Sequence, residues 1–68
     1  MNPIRPDKLL QSKWTALAPL NKERHFMVVK LVDIAHQRCQ IEAVLTKKRY
    51  IIDWHDLTDS SVWQIGWQ

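Results

Sequence analysis

The sequence predicts a mainly β fold, a small antiparallel meander or open barrel of three to four strands with short helical turns near both termini. Three observations predict it. Residues 24–33, 39–46 and 49–54 concentrate Val, Ile and aromatic side chains and are separated by short polar stretches, the pattern of strands joined as hairpins. The same three segments accept a register that makes one sheet face continuously apolar. Four tryptophans stand in only 68 residues. A chain this short buries a modest part of its surface and needs dense apolar packing, and each indole can bury roughly 150–250 Å².

In chain order, residues 6–11 (Pro-Asp-Lys-Leu-Leu-Gln) read as a short helical turn, with Pro6 tolerated at its first position. Residues 12–16 read as a short strand, and residues 17–23, with Pro19 and Asn21, as a loop. The central register is specific. If the second hairpin turns at Lys47-Lys48, Leu45 faces Tyr50, Ala43 faces Ile52 and Ile41 faces Trp54. If Leu31 faces Ile41 in the first hairpin, Val29 meets Ala43 and Met27 meets Leu45. Side chains alternate along a strand, so Met27, Val29, Leu31, Ile41, Ala43, Leu45, Ile52 and Trp54 share a core face, with Tyr50 beside them. The other face then carries Lys30, Glu42 and Asp53 in a row, the lysine offsetting two acids that would otherwise repel. Phe26, Val28, Val44 and Ile51 also fall on that second face and need cover, from Trp14 or from the C-terminal tryptophans. The tail, residues 56–67, reads as a helical turn capped at Asp59 or Ser60 and ended by Gly66. Trp63 and Trp67 would then lie one turn apart on one face. Gly66 is the only glycine, which argues against an Asn-Gly or Asp-Gly hairpin turn.

Composition bounds the rest. Residues 1–68 make a single domain. The single cysteine, Cys39, excludes an internal disulfide and points to a reducing, cytoplasmic setting. Residues 1–6 hold no apolar leader segment, and no apolar run approaches the ~20 residues of a membrane span. All ten Lys and Arg lie within residues 1–49, while residues 50–68 carry Asp53, Asp56 and Asp59 and no basic side chain except His55. A basic body of this kind is compatible with binding phosphate.

Several blocks of sequence belong together: Asn2-Pro3, Lys8-Leu9-Leu10, Ser12-Lys13-Trp14-Thr15-Ala16 and Lys22-Glu23-Arg24-His25-Phe26, then Ile41-Glu42-Ala43-Val44, Trp54 with Leu57, and Trp63 with Gly66-Trp67. Over nearly the whole chain this resembles the short tryptophan-rich bacterial proteins that form a domain family of unknown function. The resemblance implies a small bacterial protein and carries no catalytic residues across. His55 departs from it, standing where the family pattern leads one to expect arginine.

Chemistry is sparse. His36-x-x-Cys39 echoes zinc-ligand spacing, but no second pair accompanies it, and His25 and His55 complete no pattern. Cys39 with a histidine, or an aspartate with His55, would need a pocket that so small a domain has little room to form. No catalytic residue, metal or cofactor is therefore expected. The leading reading is a non-catalytic binding module with no membrane role. It would present Trp63, Ile65 and Trp67 to a protein partner or to a second copy, since buried aromatics anchor interfaces, and an exposed edge strand such as residues 24–33 would serve the same end. The alternative is RNA or ribosome binding through the basic tip Lys47-Lys48-Arg49, aided by Lys13, with Trp14 or Tyr50 stacking on bases. The position of the exposed indoles discriminates the two: beside the basic tip for nucleic acid, away from lysines for protein.

Overall fold

Strands of high β propensity run from Lys13 nearly to the C-terminus and pair into one open antiparallel sheet of five, in the order β4-β3-β2-β1-β5. The structure is a computed structural model that describes residues 2–20 and 22–68. Met1 of the expected N-terminal segment and Asn21 of the expected loop lie outside the described residues. The elements are a helical turn α1 (Pro6–Leu9), then β1 (Lys13–Leu20), β2 (Glu23–Asp33), β3 (Arg38–Ala43) and β4 (Arg49–Asp53). A 3₁₀ turn (Trp54–Thr58) and β5 (Trp63–Ile65) complete the chain. The sheet thus has five strands where three to four are expected. The fifth strand is residues 63–65, read as helical, which form β5. Residues 17–20, read as loop, continue β1 despite Pro19, and β2, expected as an open edge, lies inside the sheet between β3 and β1.

The tail is extended because β1 has a free edge that needs partners. Trp14 pairs with Ile65 and Ala16 with Trp63, and the ladder is prolonged by Gly66 N–H to the Lys13 carbonyl (2.8 Å) and Leu17 N–H to the Val62 carbonyl (2.9 Å). Unpaired backbone groups in a half-buried site are costly, so this pairing overrides the local helical signal. Helical structure in this region sits earlier, at Trp54–Thr58, where the Asp53 carboxylate caps the turn by accepting the His55 N–H at 2.9 Å.

Both central hairpins adopt a different register from the expected one. Between β3 and β4, Ile41 faces Tyr50, Cys39 faces Ile52 and Arg38 faces Asp53. That is a shift of an even number of residues, so each side chain keeps its face. The ladder ends at Glu42 opposite Arg49, and residues 44–46 form a turn closed by Lys47 N–H to the Ala43 carbonyl at 2.8 Å. Leu45 therefore stands in the turn at 73% exposure and is not a core residue. Between β2 and β3, Phe26 faces Ala43, Met27 faces Glu42 and Val28 faces Ile41, while further on Leu31 faces Cys39. The register slips between Val28 and Lys30; a β-bulge inserts one residue and flips the alternation. Phe26 and Val28 are thereby the buried residues, and Met27 and Val29, expected in the core, are half-buried on the opposite face. The expected row of Lys30, Glu42 and Asp53 dissolves. Lys30 faces Gln40, Asp53 faces Arg38, and Glu42 meets Arg49 in an ion pair at 2.9 Å.

The core lies on one sheet face. Trp14, Phe26, Val28, Cys39, Ile41 and Ala43 point into it and are capped by Leu9 of α1 and by Trp54 and Leu57 of the 3₁₀ turn. Leu31, Ile52 and Trp63 pack against this cluster, half-buried. Asn2 ties the N-terminal segment to the cap through its side-chain amide, which donates to the carbonyls of Leu57 (2.9 Å) and Trp63 (2.7 Å).

Candidate binding groove

The core face is covered at only one end, by the N-terminal segment and the 3₁₀ turn. At the other end it remains open as an apolar groove of about 330 Å³. The curl of the sheet brings both edge strands to its walls: Tyr50 and Ile52 from β4, Trp63 from β5, with Phe26 and Ile41 beneath and Ala16 and Ala18 of β1 between. The small alanines leave the space; larger side chains at those two positions would fill it. Phe26 holds the aromatics in order, meeting Trp63 edge-on at 5.3 Å and 81° and Tyr50 at 6.3 Å and 65° between ring centroids, the geometry that ring quadrupoles favour.

Among the described residues, one charged side chain lines this groove. Glu23, the first residue of β2, lines it and is 4% exposed. The Thr46 hydroxyl donates to one carboxylate oxygen, and the Tyr50 hydroxyl donates to the other at 2.6 Å. These two hydrogen bonds, from Thr46 first and then Tyr50, hold the Glu23 carboxyl below its ordinary range, with the Lys48 charge adding in the same direction against the burial. Conversely, the Tyr50 phenol is pushed above its ordinary value by donating to that carboxylate. Among the described residues, no Lys, Arg or His nitrogen is within ion-pair distance of Glu23. The groove therefore presents an apolar, aromatic wall with one buried, hydroxyl-stabilised negative charge.

The residues singled out from sequence fall in different places. Trp63 is half-buried in the groove, whereas Trp67 packs beside Lys13 and His25, side chains of the opposite sheet face. The turn at Gly66 (φ 80°) separates them, so Trp63, Ile65 and Trp67 form no single patch. Trp67 donates its indole N–H to the Phe26 carbonyl (3.0 Å), sits 6.1 Å from the His25 ring, and carries the Lys13 ammonium 4.8 Å from its centroid. Ile65 instead borders a second cleft of about 360 Å³ beneath the N-terminal segment, where Arg5, Lys8 and Lys13 line the rim and Leu9 and Trp14 the base.

The basic residues are likewise dispersed. Lys13, Met27, Glu42 and Arg49 stand in one cross-strand row, so Lys13 and Arg49 are three strand spacings apart, about 14 Å. Arg49 is engaged by Glu42. Lys47 and Lys48 are exposed at the β3–β4 turn, whereas Trp67, the exposed indole among the described residues, lies against Lys13 and His25. Trp14 is buried, donating to the Ser12 hydroxyl at 2.8 Å, and so is closed to a base. Tyr50, 38% exposed, gives its hydroxyl to Glu23 and its ring to the groove wall rather than to the basic turn. Cys39 is fully buried, and burial pushes its thiol up to about 11. Among the described residues, no three His, Cys, Asp or Glu side chains converge as for a metal ion, and no helix is long and apolar enough to cross a membrane.

Sequence reasoning missed Glu23 and the polar role of Tyr50. An acid between Lys22 and Arg24 reads as ordinary surface; only the fold brings Thr46 and Tyr50 to it. A family model described as tryptophan-rich protein (DUF2389) matches residues 12–68. No curated protein matches the chain, and no solved structure does.

Proposed function

The chain belongs to this tryptophan-rich family of unknown function, and from that premise we propose that it is a non-catalytic binding module whose open groove receives an apolar-stemmed side chain of a protein partner. The observation that carries this reading is the groove itself. Phe26, Tyr50 and Trp63 converge around about 330 Å³ of space, enough for one anchoring side chain, and interfaces draw most of their affinity from a few such anchors in aromatic pockets. Val62, 43% exposed at the rim, extends the apolar surface outward. The lone, deeply buried thiol supports a cytoplasmic setting, where no disulfide is needed.

The RNA reading has less support. Its residues Lys13, Lys47, Lys48 and Arg49 are spread over the sheet with Glu42 among them, and Trp67 already has the Lys13 ammonium over its ring. A photo-crosslinking side chain placed at Val62, compared with one at Lys47, tests the choice in cells. Protein adducts at Val62 that vanish when Ala18→Trp fills the groove are expected. RNase-sensitive adducts at Lys47, with none at Val62, would overturn the proposal in favour of RNA.

A further inference from the structure

The charge inside the groove says what kind of side chain fits it. Resting on the reading of the groove as a partner site, we propose that its occupant is a lysine side chain of the partner protein, the alkyl stem lying along the aromatic wall and the ammonium reaching Glu23. Three features lead there. First, a carboxylate 4% exposed and bonded, among the described residues, to two neutral hydroxyls and to no cation is a buried anion, and such a charge favours pairing with a cation. Second, the faces around it are aromatic: Phe26, Tyr50 and Trp63 surround the same space, and aromatic faces attract a desolvated cation. Third, the cation arrives on an apolar stem, because Ala16, Ile41 and Ile52 line the remainder; a lysine buries its methylenes along such a surface while its head finds a polar partner.

The hydrogen bonds already present select lysine over arginine. Thr46 occupies one carboxylate oxygen and Tyr50 the other. A guanidinium prefers both oxygens in a planar fork, whereas an ammonium is a point charge that needs only one free lone pair. The Tyr50 oxygen is a further acceptor for the ammonium, since its proton is committed to Glu23. The chain's own Lys48 lies near enough to influence Glu23 by charge but makes no ion pair with it, so it competes with the incoming lysine without occupying the site.

The experiment is a titration followed by two-dimensional NMR, reading the indole N–H of Trp63 and the backbone of Glu23. The probes are the Nα-acetyl N-methylamides of lysine, norleucine and arginine, together with choline. Lysine is expected to bind about tenfold more tightly than its neutral counterpart norleucine, with arginine weaker than lysine. Glu23→Gln should erase the lysine advantage while leaving norleucine binding in place. Tyr50→Phe, which frees one carboxylate oxygen, should raise arginine toward lysine and serves as the test if Glu23→Gln does not fold. Equal binding of lysine and norleucine would overturn the charge assignment and leave the apolar groove standing. Binding of choline without lysine would reassign the site to a free quaternary amine, and absence of any shift at Trp63 would overturn the inference outright.

Discussion

Glu23 shows how one residue's environment becomes a pH response. Its carboxyl is held below the ordinary range by hydrogen bonds from Thr46 and Tyr50. A carboxylate with a depressed folded-state pKa contributes stability that is fully present above the unfolded value, about 4.3, and is lost as pH falls through the folded value. Asp33, lowered by hydrogen bonds from His36, and Asp59, lowered by those from Ser61, act in the same direction. Urea midpoints measured from pH 7 to pH 2 should therefore fall below about pH 4, and the Glu23→Gln variant should start lower and fall less steeply. A parallel acid profile in that variant would remove Glu23 from the account. Cys39 reports on a different property. Its thiol is pushed up to about 11 by burial, and the thiolate is the reactive form. A thiol reagent at pH 8 should modify it only as fast as the chain opens, with urea accelerating the reaction; instant labelling of the native protein would mean the core is not closed.

At the scale of elements, the decisive features are the bulge in β2 and the pairing of β5. The bulge sends Val28 into the core, with no exposed surface, and leaves Val29 half-buried on the opposite face. Val28→Ala should cost about 2 kcal/mol, whereas Val29→Thr should be nearly neutral, as judged by denaturant midpoints; the reverse order would restore the unbulged register. Gly66 sits at φ 80°, and a Cβ there would meet only the flexible end of Gln68 at 3.4 Å. Gly66→Ala therefore costs backbone strain rather than a clash, about 1–2 kcal/mol. It should also release Trp67 from the Phe26 carbonyl, seen as a shift of the Trp67 indole N–H. The strands β2, β3 and β4 were legible because Val, Ile and aromatic residues concentrate there. β5 was not, because residues 63–65 become extended only by pairing with β1, which lies some fifty residues earlier. Likewise, the even-numbered slip in the β3–β4 hairpin left Ile41, Ala43 and Ile52 facing as expected, while the odd-numbered slip in β2 reversed Met27 and Val29.

Across the whole molecule, stability rests on a core of few large side chains. Trp54, 4% exposed, caps that core together with Leu57 and Leu9. Trp54→Ala should cost roughly 3–5 kcal/mol, close to the entire stability of so small a domain; loss of dispersed NMR signals at 25 °C is expected, and a variant that melts like the parent would show the cap to be dispensable. The same architecture explains the candidate site, since a sheet capped at one end leaves its other end open. The sequence by itself determined the mainly β class of fold, the three central strands and the family to which the chain belongs. These follow from local β propensity, from alternation and from blocks such as Ser12-Lys13-Trp14-Thr15. Only the tertiary structure decided which face of β2 is core, that the tail adds an edge strand to the sheet, that Trp63 and Trp67 part company, and that Glu23 meets Thr46 and Tyr50. The physical reason is that bulges, edge pairing and buried hydrogen bonds depend on partners distant in sequence, and local patterns carry no record of those partners.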